Sequence, residues 1–133
     1  MMQDEDLISV VRKAVPNLVA LYRFGSQATG EARQESDVDL AILAAEPCAP
    51  QRLLALREEL ATLLHREVDL IDLRAASTVL RMQVLAHGEC LDSIQDLARE
   101  QFEDTVYVSY ARLNEERRGI LEDVRARGAV YAG

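Results

Sequence analysis

The sequence has no apolar run that approaches the roughly 18 residues needed to cross a membrane. Its first six residues include three acidic side chains and no basic one, which is the wrong sign for a secretory signal. These two absences argue against an integral membrane protein and an exported one. We therefore expect a cytoplasmic protein without a membrane partner.

Basic residues are also scarce, with 15 Lys and Arg against 23 Asp and Glu and a formal net charge of −8. A non-specific nucleic-acid binder neutralises several phosphates, roughly six to ten in typical cases. No basic cluster of that size occurs in the chain. The composition therefore argues against direct nucleic-acid binding and favours a basic protein partner.

Cysteine is limited to Cys48 and Cys90, and histidine to His65 and His87. The spacing of these four residues matches no zinc finger or zinc ribbon. We therefore expect two reduced thiols and two ordinary histidines.

What the chain does have is the composition of a globular domain, with 133 residues of which 49% are hydrophobic. Hydrophobic periodicity and turn residues predict an α+β (α/β) fold, a small mixed β-sheet flanked by helices. We expect a single domain over 1–133, with a core over about 18–92 and a helical segment over about 93–128, inside which we leave a break open. The predicted elements are helix 6–15, strands 18–24 and 37–43, helix 51–65, strand 67–73, helix 76–87 and a short strand 89–91.

The most informative pattern is Gly25-Ser26, followed after ten residues by Asp37-Val38-Asp39. Side chains alternate across a strand, so the two aspartates point to the same face. Two adjacent carboxylates repel each other unless a cation lies between them, and Mg²⁺ prefers such hard oxygen ligands. Gly25-Ser26 directly follows an apolar strand, where backbone N–H groups and a hydroxyl can contact phosphate oxygens.

A third carboxylate would complete this site, and the strand over 67–73 offers Asp69 and Asp72. These two face opposite sides of a strand, so only one can join Asp37 and Asp39. We favour Asp69, because it lies early in the strand and leaves its apolar neighbours for the core. Asp72 is then expected at the strand end or as the cap of the next helix.

Three such carboxylates predict a site for two metal ions, which stabilise the entering and leaving oxygens of an in-line displacement at phosphorus. Asp37 and Asp39 would bridge the metals. Asp69 would hold the catalytic metal and help to deprotonate the incoming hydroxyl. The Gly25-Ser26 loop would offset the charge of the departing pyrophosphate.

These motifs resemble the DNA polymerase β-like nucleotidyltransferase superfamily, and within it the minimal nucleotidyltransferase (MNT) antitoxins of HEPN/MNT toxin–antitoxin pairs. The resemblance spans nearly the whole chain and is carried by the stretches 21–26, 36–41, 68–74 and 76–80.

The resemblance implies a nucleotidyltransferase fold and a Mg²⁺-dependent antitoxin that transfers AMP from ATP to a tyrosine of a HEPN RNase toxin, its partner in a hetero-oligomer. By this resemblance Asp37, Asp39 and Asp69 are metal ligands and catalytic residues, with two Mg²⁺ ions, while Gly25 and Ser26 contact the nucleotide.

Two alternatives stay open. One is a transferase acting on a small molecule such as an aminoglycoside, which would need a further acceptor-binding domain or subunit. The other is a non-catalytic antitoxin that acts by covering its toxin.

Several other residues carry weaker indications. For Arg23 and Arg33 a surface role is favoured over phosphate contact. The C-terminal helix could dock a partner through Phe102, Val106 and Tyr110, although packing on the chain's own sheet fits the pattern equally well.

Overall fold

The computed structural model describes residues 2–25 and 37–131, which form helices and strands around one four-stranded sheet. The elements are α1 (Met2–Ala14), β1 (Leu18–Phe24), β2 (Val38–Ala44), α2 (Pro50–Leu64), β3 (Val68–Asp72), α3 (Thr78–His87), β4 (Glu89–Ser93) and α4 (Asp96–Tyr131). The predicted architecture, a small mixed sheet flanked by helices with a long C-terminal helix, is confirmed.

The sheet has the strand order β3-β2-β1-β4. Strands β2 and β3 are parallel and are joined through α2, whereas β1 runs antiparallel to both of its neighbours. The inner strands β1 and β2 are buried along most of their length, which explains why their sequences are nearly continuous apolar runs.

Helices cover both faces of the sheet and create two hydrophobic cores. The first core packs α1 and α2 against one face, with Leu7, Val11, Leu40, Ile42, Leu56 and Leu60 among its buried residues. The second packs α3 and α4 against the other face, with Val19, Tyr22, Ala41, Leu43, Val84, Phe102 and Val106 among its buried residues. Alternate residues of β2 thus serve opposite cores, as the pleat of a strand requires.

The bounds of the first helix and of the last two elements differ from the prediction. Helix α1 begins at Met2 instead of residue 6. Strand β4 continues to Ser93, because Ser93 pairs with Ala20 across the sheet. The backbone N–H groups of Ile94 and Gln95 then donate to the carbonyl of Val19, so α4 begins only at Asp96. From there α4 runs without a break to Tyr131, and the interruption left open within 93–128 is absent.

Helix α4 contributes two buried residues to the second core, whereas its residues 115–126 are all exposed. Phe102 and Val106 are only 7% and 1% exposed within the second core. Of the two alternatives left open for these residues, packing on the chain's own sheet is therefore the one that the structure shows. Farther along the helix, Ile120, Leu121 and Val124 are 62%, 58% and 58% exposed. No helix within the described part of the chain combines the length and apolar character needed to span a bilayer.

Candidate active site

Strand pairing brings the aspartates of β2 and β3 together. Asp39 is the second residue of β2 and Asp69 the second residue of β3, and the two are direct register partners in the parallel pair. Asp37 lies one residue before β2, and its side chain is exposed. The three carboxylates therefore lie together at the end of the sheet where β2 and β3 begin, and we call Asp37, Asp39 and Asp69 the carboxylate edge.

Gly25 borders the carboxylate edge on the side of β1. Its strand β1 pairs Phe24 with Asp39, so the chain turns immediately beside the Asp39 side chain. Gly25 has a φ of +72°, a left-handed conformation that side chains other than glycine rarely adopt. A Cβ atom at this position would overlap an Asp39 carboxylate oxygen and lie 3.0 Å from its Cγ atom. The turn therefore needs glycine both for its backbone conformation and for space.

The electrostatics of the cluster are unfavourable for three ionised carboxylates. Burial raises the pKa of Asp39 above its ordinary value of 3.8, and the charges of Asp69 and Asp37 raise it further. In the part of the chain that the structure describes, no lysine or arginine forms an ion pair with any of the three. A bound divalent cation would offset this repulsion, and its preferred ligands are the oxygens present here.

Among residues 2–25 and 37–131, no three His, Cys, Asp or Glu side chains are placed so that they could hold a metal ion by themselves. Mg²⁺ is usually held by one or two carboxylates together with waters and substrate phosphates, rather than by a cage made only of protein groups. The oxygen donors of Asp37, Asp39 and Asp69 fit that mode of binding. In such a site a nucleoside triphosphate supplies the remaining ligands.

Comparison with known proteins identifies the class of enzyme to which this geometry corresponds. The family described as "Polymerase beta, Nucleotidyltransferase" matches residues 5–96, which include every residue of the carboxylate edge. The chain belongs to the polymerase β nucleotidyltransferase family. The resemblance noted from the sequence motifs is thus confirmed.

Individual nucleotidyltransferases match over nearly the full chain. Protein adenylyltransferase MntA of Shewanella oneidensis is 37% identical over 131 residues, which are 98% of this chain and 94% of that protein. A crystal structure of a toxin–antitoxin with AMP-PNP superposes with a TM-score of 0.82 at 37% identity, over 91% of this chain and 97% of that one. A chain from the structure of a tri-AMPylated Shewanella oneidensis HEPN toxin in complex with MNT antitoxin superposes with a TM-score of 0.77 at 34% identity, over 92% of this chain and 96% of that one.

The structure also separates the two acidic residues of β3 in this nucleotidyltransferase. Asp69 is exposed beside Asp39, whereas Asp72 is 6% exposed at the end of the strand. The Asp72 carboxylate accepts hydrogen bonds from the backbone N–H groups of Cys48 at 2.7 Å and Arg74 at 3.0 Å. Asp72 therefore links the loops that follow β2 and β3 through hydrogen bonds. It does not cap α3, whose N-cap residue is Ser77.

Substituting these two aspartates should give opposite phenotypes. Asp72→Ala leaves two backbone donors without their acceptor and should lower the free energy of unfolding by about 2–4 kcal/mol. Asp69→Ala removes an exposed side chain and should change that free energy by less than about 0.5 kcal/mol while abolishing nucleotidyl transfer. Urea denaturation and a transfer assay on both variants test this. An active Asp69→Ala variant would exclude Asp69 as the third carboxylate.

The remaining residues singled out from the sequence are placed as follows. Arg23 donates from Nε to Glu89 at 2.8 Å and from a terminal nitrogen to Asp4 at 3.0 Å, so it acts as a surface ion-pair residue. Ser26 and Arg33 lie outside the described residues. Cys48 and Cys90 are free thiols.

Sequence reasoning gave no role to Arg74 and Arg81, which stack on the ring of Phe102 at the opposite end of the same sheet face. The available signal was one basic residue just after β3 and a second seven residues later, without an acidic residue between them.

Proposed function

We propose that this chain is an antitoxin that transfers AMP from ATP to a tyrosine hydroxyl of a cognate HEPN RNase toxin and thereby silences it. The observation that carries the proposal is the 37% identity to a protein adenylyltransferase over 98% of this chain. The similar toxin–antitoxin structure with AMP-PNP supports the choice of ATP as donor, and the MNT antitoxin in complex with a tri-AMPylated HEPN toxin supports the choice of a HEPN toxin as acceptor. A cytoplasmic location and a hetero-oligomer with the toxin belong to the same proposal.

In the proposed reaction the tyrosine oxygen attacks the α-phosphorus of ATP. The bond between that phosphorus and the oxygen that joins it to the β-phosphate breaks, and pyrophosphate leaves in line with the attack. The phenol proton, whose ordinary pKa is near 10, moves to the Asp69 carboxylate. Mg²⁺, when bound, would supply Lewis-acid stabilisation of the charge that develops on the phosphoryl oxygens.

Each residue of the carboxylate edge has a separate task in this proposal. Asp37 and Asp39 would hold both Mg²⁺ ions, and Asp69 would hold one of them and accept the proton of the attacking hydroxyl. Gly25, which has no Cβ atom, leaves room for the Asp39 carboxylate beside the backbone. Ser26, which follows in the sequence, is proposed to donate its hydroxyl to the phosphates.

The function is tested by co-expressing the chain with a HEPN toxin and measuring the intact mass of the purified toxin. We expect mass increments of one or more adenylyl groups, mapped by peptide fragmentation to a tyrosine. Co-expression with Asp37→Asn should leave the toxin unmodified and active, although the two proteins still co-purify. An unmodified toxin that both antitoxins neutralise would instead establish sequestration without catalysis.

A further inference from the structure

Two arginines share one aromatic ring at the end of the sheet opposite the carboxylate edge. Arg74 follows β3 and Arg81 lies in α3, and their guanidinium carbons are 5.1 Å and 5.3 Å from the centre of the Phe102 ring. Phe102 itself is buried in the second core, so it provides a fixed surface for both side chains. Stacking of guanidinium groups on aromatic rings is favourable and aligns the planar groups.

Hydrogen bonds to the backbone hold both guanidinium groups in place. Arg74 donates from Nε to the carbonyl of Ala44 at 2.8 Å. Arg81 donates from Nε to the carbonyl of Leu73 at 2.6 Å and from a terminal nitrogen to the carbonyl of Arg74 at 2.7 Å. Each arginine has five N–H donors, so most of them have no protein acceptor among the described residues. The cations are therefore positioned before any ligand arrives.

The charge of this pair is not balanced by the protein. Within residues 4–25 and 37–126, neither Arg74 nor Arg81 forms an ion pair with a carboxylate, although acidic residues outnumber basic ones by 23 to 15 in the whole chain. Two cations beside one ring repel each other, as the carboxylates do at the other end. An oxyanion would offset that repulsion and accept the remaining N–H donors, since arginine binds carboxylate and phosphate through paired hydrogen bonds.

A cavity of about 290 Å³ adjoins the pair, with Ala98, Gln101 and Thr105 of α4 on its other side. It is separate from the carboxylate edge. Ala44, which anchors Arg74, lies five residues after Asp39 along β2, a distance of about 17 Å in an extended strand.

We propose that Arg74, Arg81 and Phe102 form an oxyanion-binding site that accepts a phosphate or carboxylate group. The oxyanion comes either from a free phosphate compound or from the surface of the docked toxin, and both sources use the same paired N–H contacts. Only the second source rests on the proposed function.

The test leaves both arginines intact, because removing them would also break their hydrogen bonds to the backbone. Gln101→Glu places a carboxylate on the rim of the cavity, where it repels an incoming anion. Gln51→Glu makes the same change at an exposed position in the first turn of α2 and serves as the matched control.

In the first arm, inorganic phosphate is titrated at constant ionic strength while the Nε–H signals of Arg74 and Arg81 are followed by NMR. In the second arm, the affinity of each variant for the toxin is measured by calorimetry. If the oxyanion is a free phosphate, both signals should shift until the site is saturated, and Gln101→Glu should weaken the phosphate affinity obtained from these shifts roughly tenfold. If the oxyanion instead belongs to the toxin, Gln101→Glu should weaken the affinity for the toxin by a similar factor. Gln51→Glu should change neither.

If Gln101→Glu alters neither phosphate binding nor toxin affinity relative to Gln51→Glu, the proposed site is overturned. Adenylylation of the toxin is read separately by mass, so a failure of this site is not mistaken for a failure of adenylyl transfer.

Discussion

Replacing Asp39 with asparagine is expected to slow adenylyl transfer strongly and at the same time to stabilise the fold. If Asp39 is a metal ligand as proposed, its loss should slow transfer by roughly 10³-fold, about 4 kcal/mol of transition-state stabilisation. The stabilisation follows from the raised pKa of Asp39, which shows that burial, Asp69 and Asp37 disfavour its ionised form. An amide of nearly the same shape removes that unfavourable charge.

The pH dependence of this effect has a defined sign. A carboxyl group whose pKa is raised on folding binds its proton more tightly in the folded state, so stability falls as pH rises from the unfolded pKa through the folded one. The Tm of Asp39→Asn should therefore exceed that of the wild type at pH 7, and the difference should vanish below the ordinary pKa of 3.8.

Thermal unfolding in the presence of a metal chelator, at a series of pH values, measures this difference. Asp104→Asn, at an exposed position on α4, is the matched control and should leave both Tm and transfer unchanged. An Asp39→Asn variant that is less stable than the wild type at neutral pH would contradict the described electrostatics. One that retains transfer would contradict the assigned role.

Gly25→Ala should damage both the fold and the transfer reaction. Alanine at a φ of +72° is strained by about 1–2 kcal/mol, and its Cβ atom would overlap the Asp39 carboxylate. The carboxylate must then turn away from Asp69, or the end of β1 must move. We expect a loss of about 1–3 kcal/mol in the free energy of unfolding and roughly 10²-fold in the rate of transfer.

Gly119→Ala is the matched control, because a Cβ atom at Gly119 would meet no heavy atom within 4 Å. Gly119 lies in the exposed part of α4, where alanine should stabilise the helix by about 0.5–1 kcal/mol and leave transfer unchanged. The two variants are compared by urea denaturation and by initial rates of transfer. A Gly25→Ala variant as active as Gly119→Ala would show that the close approach to Asp39 is dispensable.

The sequence was most informative where a pattern repeats over several residues. Alternation along the strand over 67–73 separated Asp69 from Asp72, and the structure places the first at an exposed position and the second at a buried one. What a single strand does not reveal is its register with a neighbour. The direct pairing of Asp39 with Asp69 depends on the crossover through α2, and no local signal specifies it.

The missed features are likewise non-local. Ser93 belongs to β4 because Ala20 lies opposite, and that partner is more than seventy residues away in the chain. Phe102 and Val106 have the spacing of an interaction surface, but whether such a stripe meets a partner or the chain's own sheet depends on packing. The close approach of Gly25 to Asp39 is also non-local, because the Gly-Ser pair in the sequence indicates a turn but not which side chain lies beside it.

The central claim is that Asp37, Asp39 and Asp69 jointly bind divalent metal beside a nucleotide. Anomalous diffraction from crystals grown with Mn²⁺ and a non-hydrolysable ATP analogue tests it directly, because Mn²⁺ takes the same oxygen ligands as Mg²⁺. We predict two anomalous peaks about 3.5–4 Å apart, both within ligand distance of Asp37 and Asp39 and one within ligand distance of Asp69. Manganese bound away from these carboxylates, or an Asp69 side chain pointing away from both ions, would contradict the account.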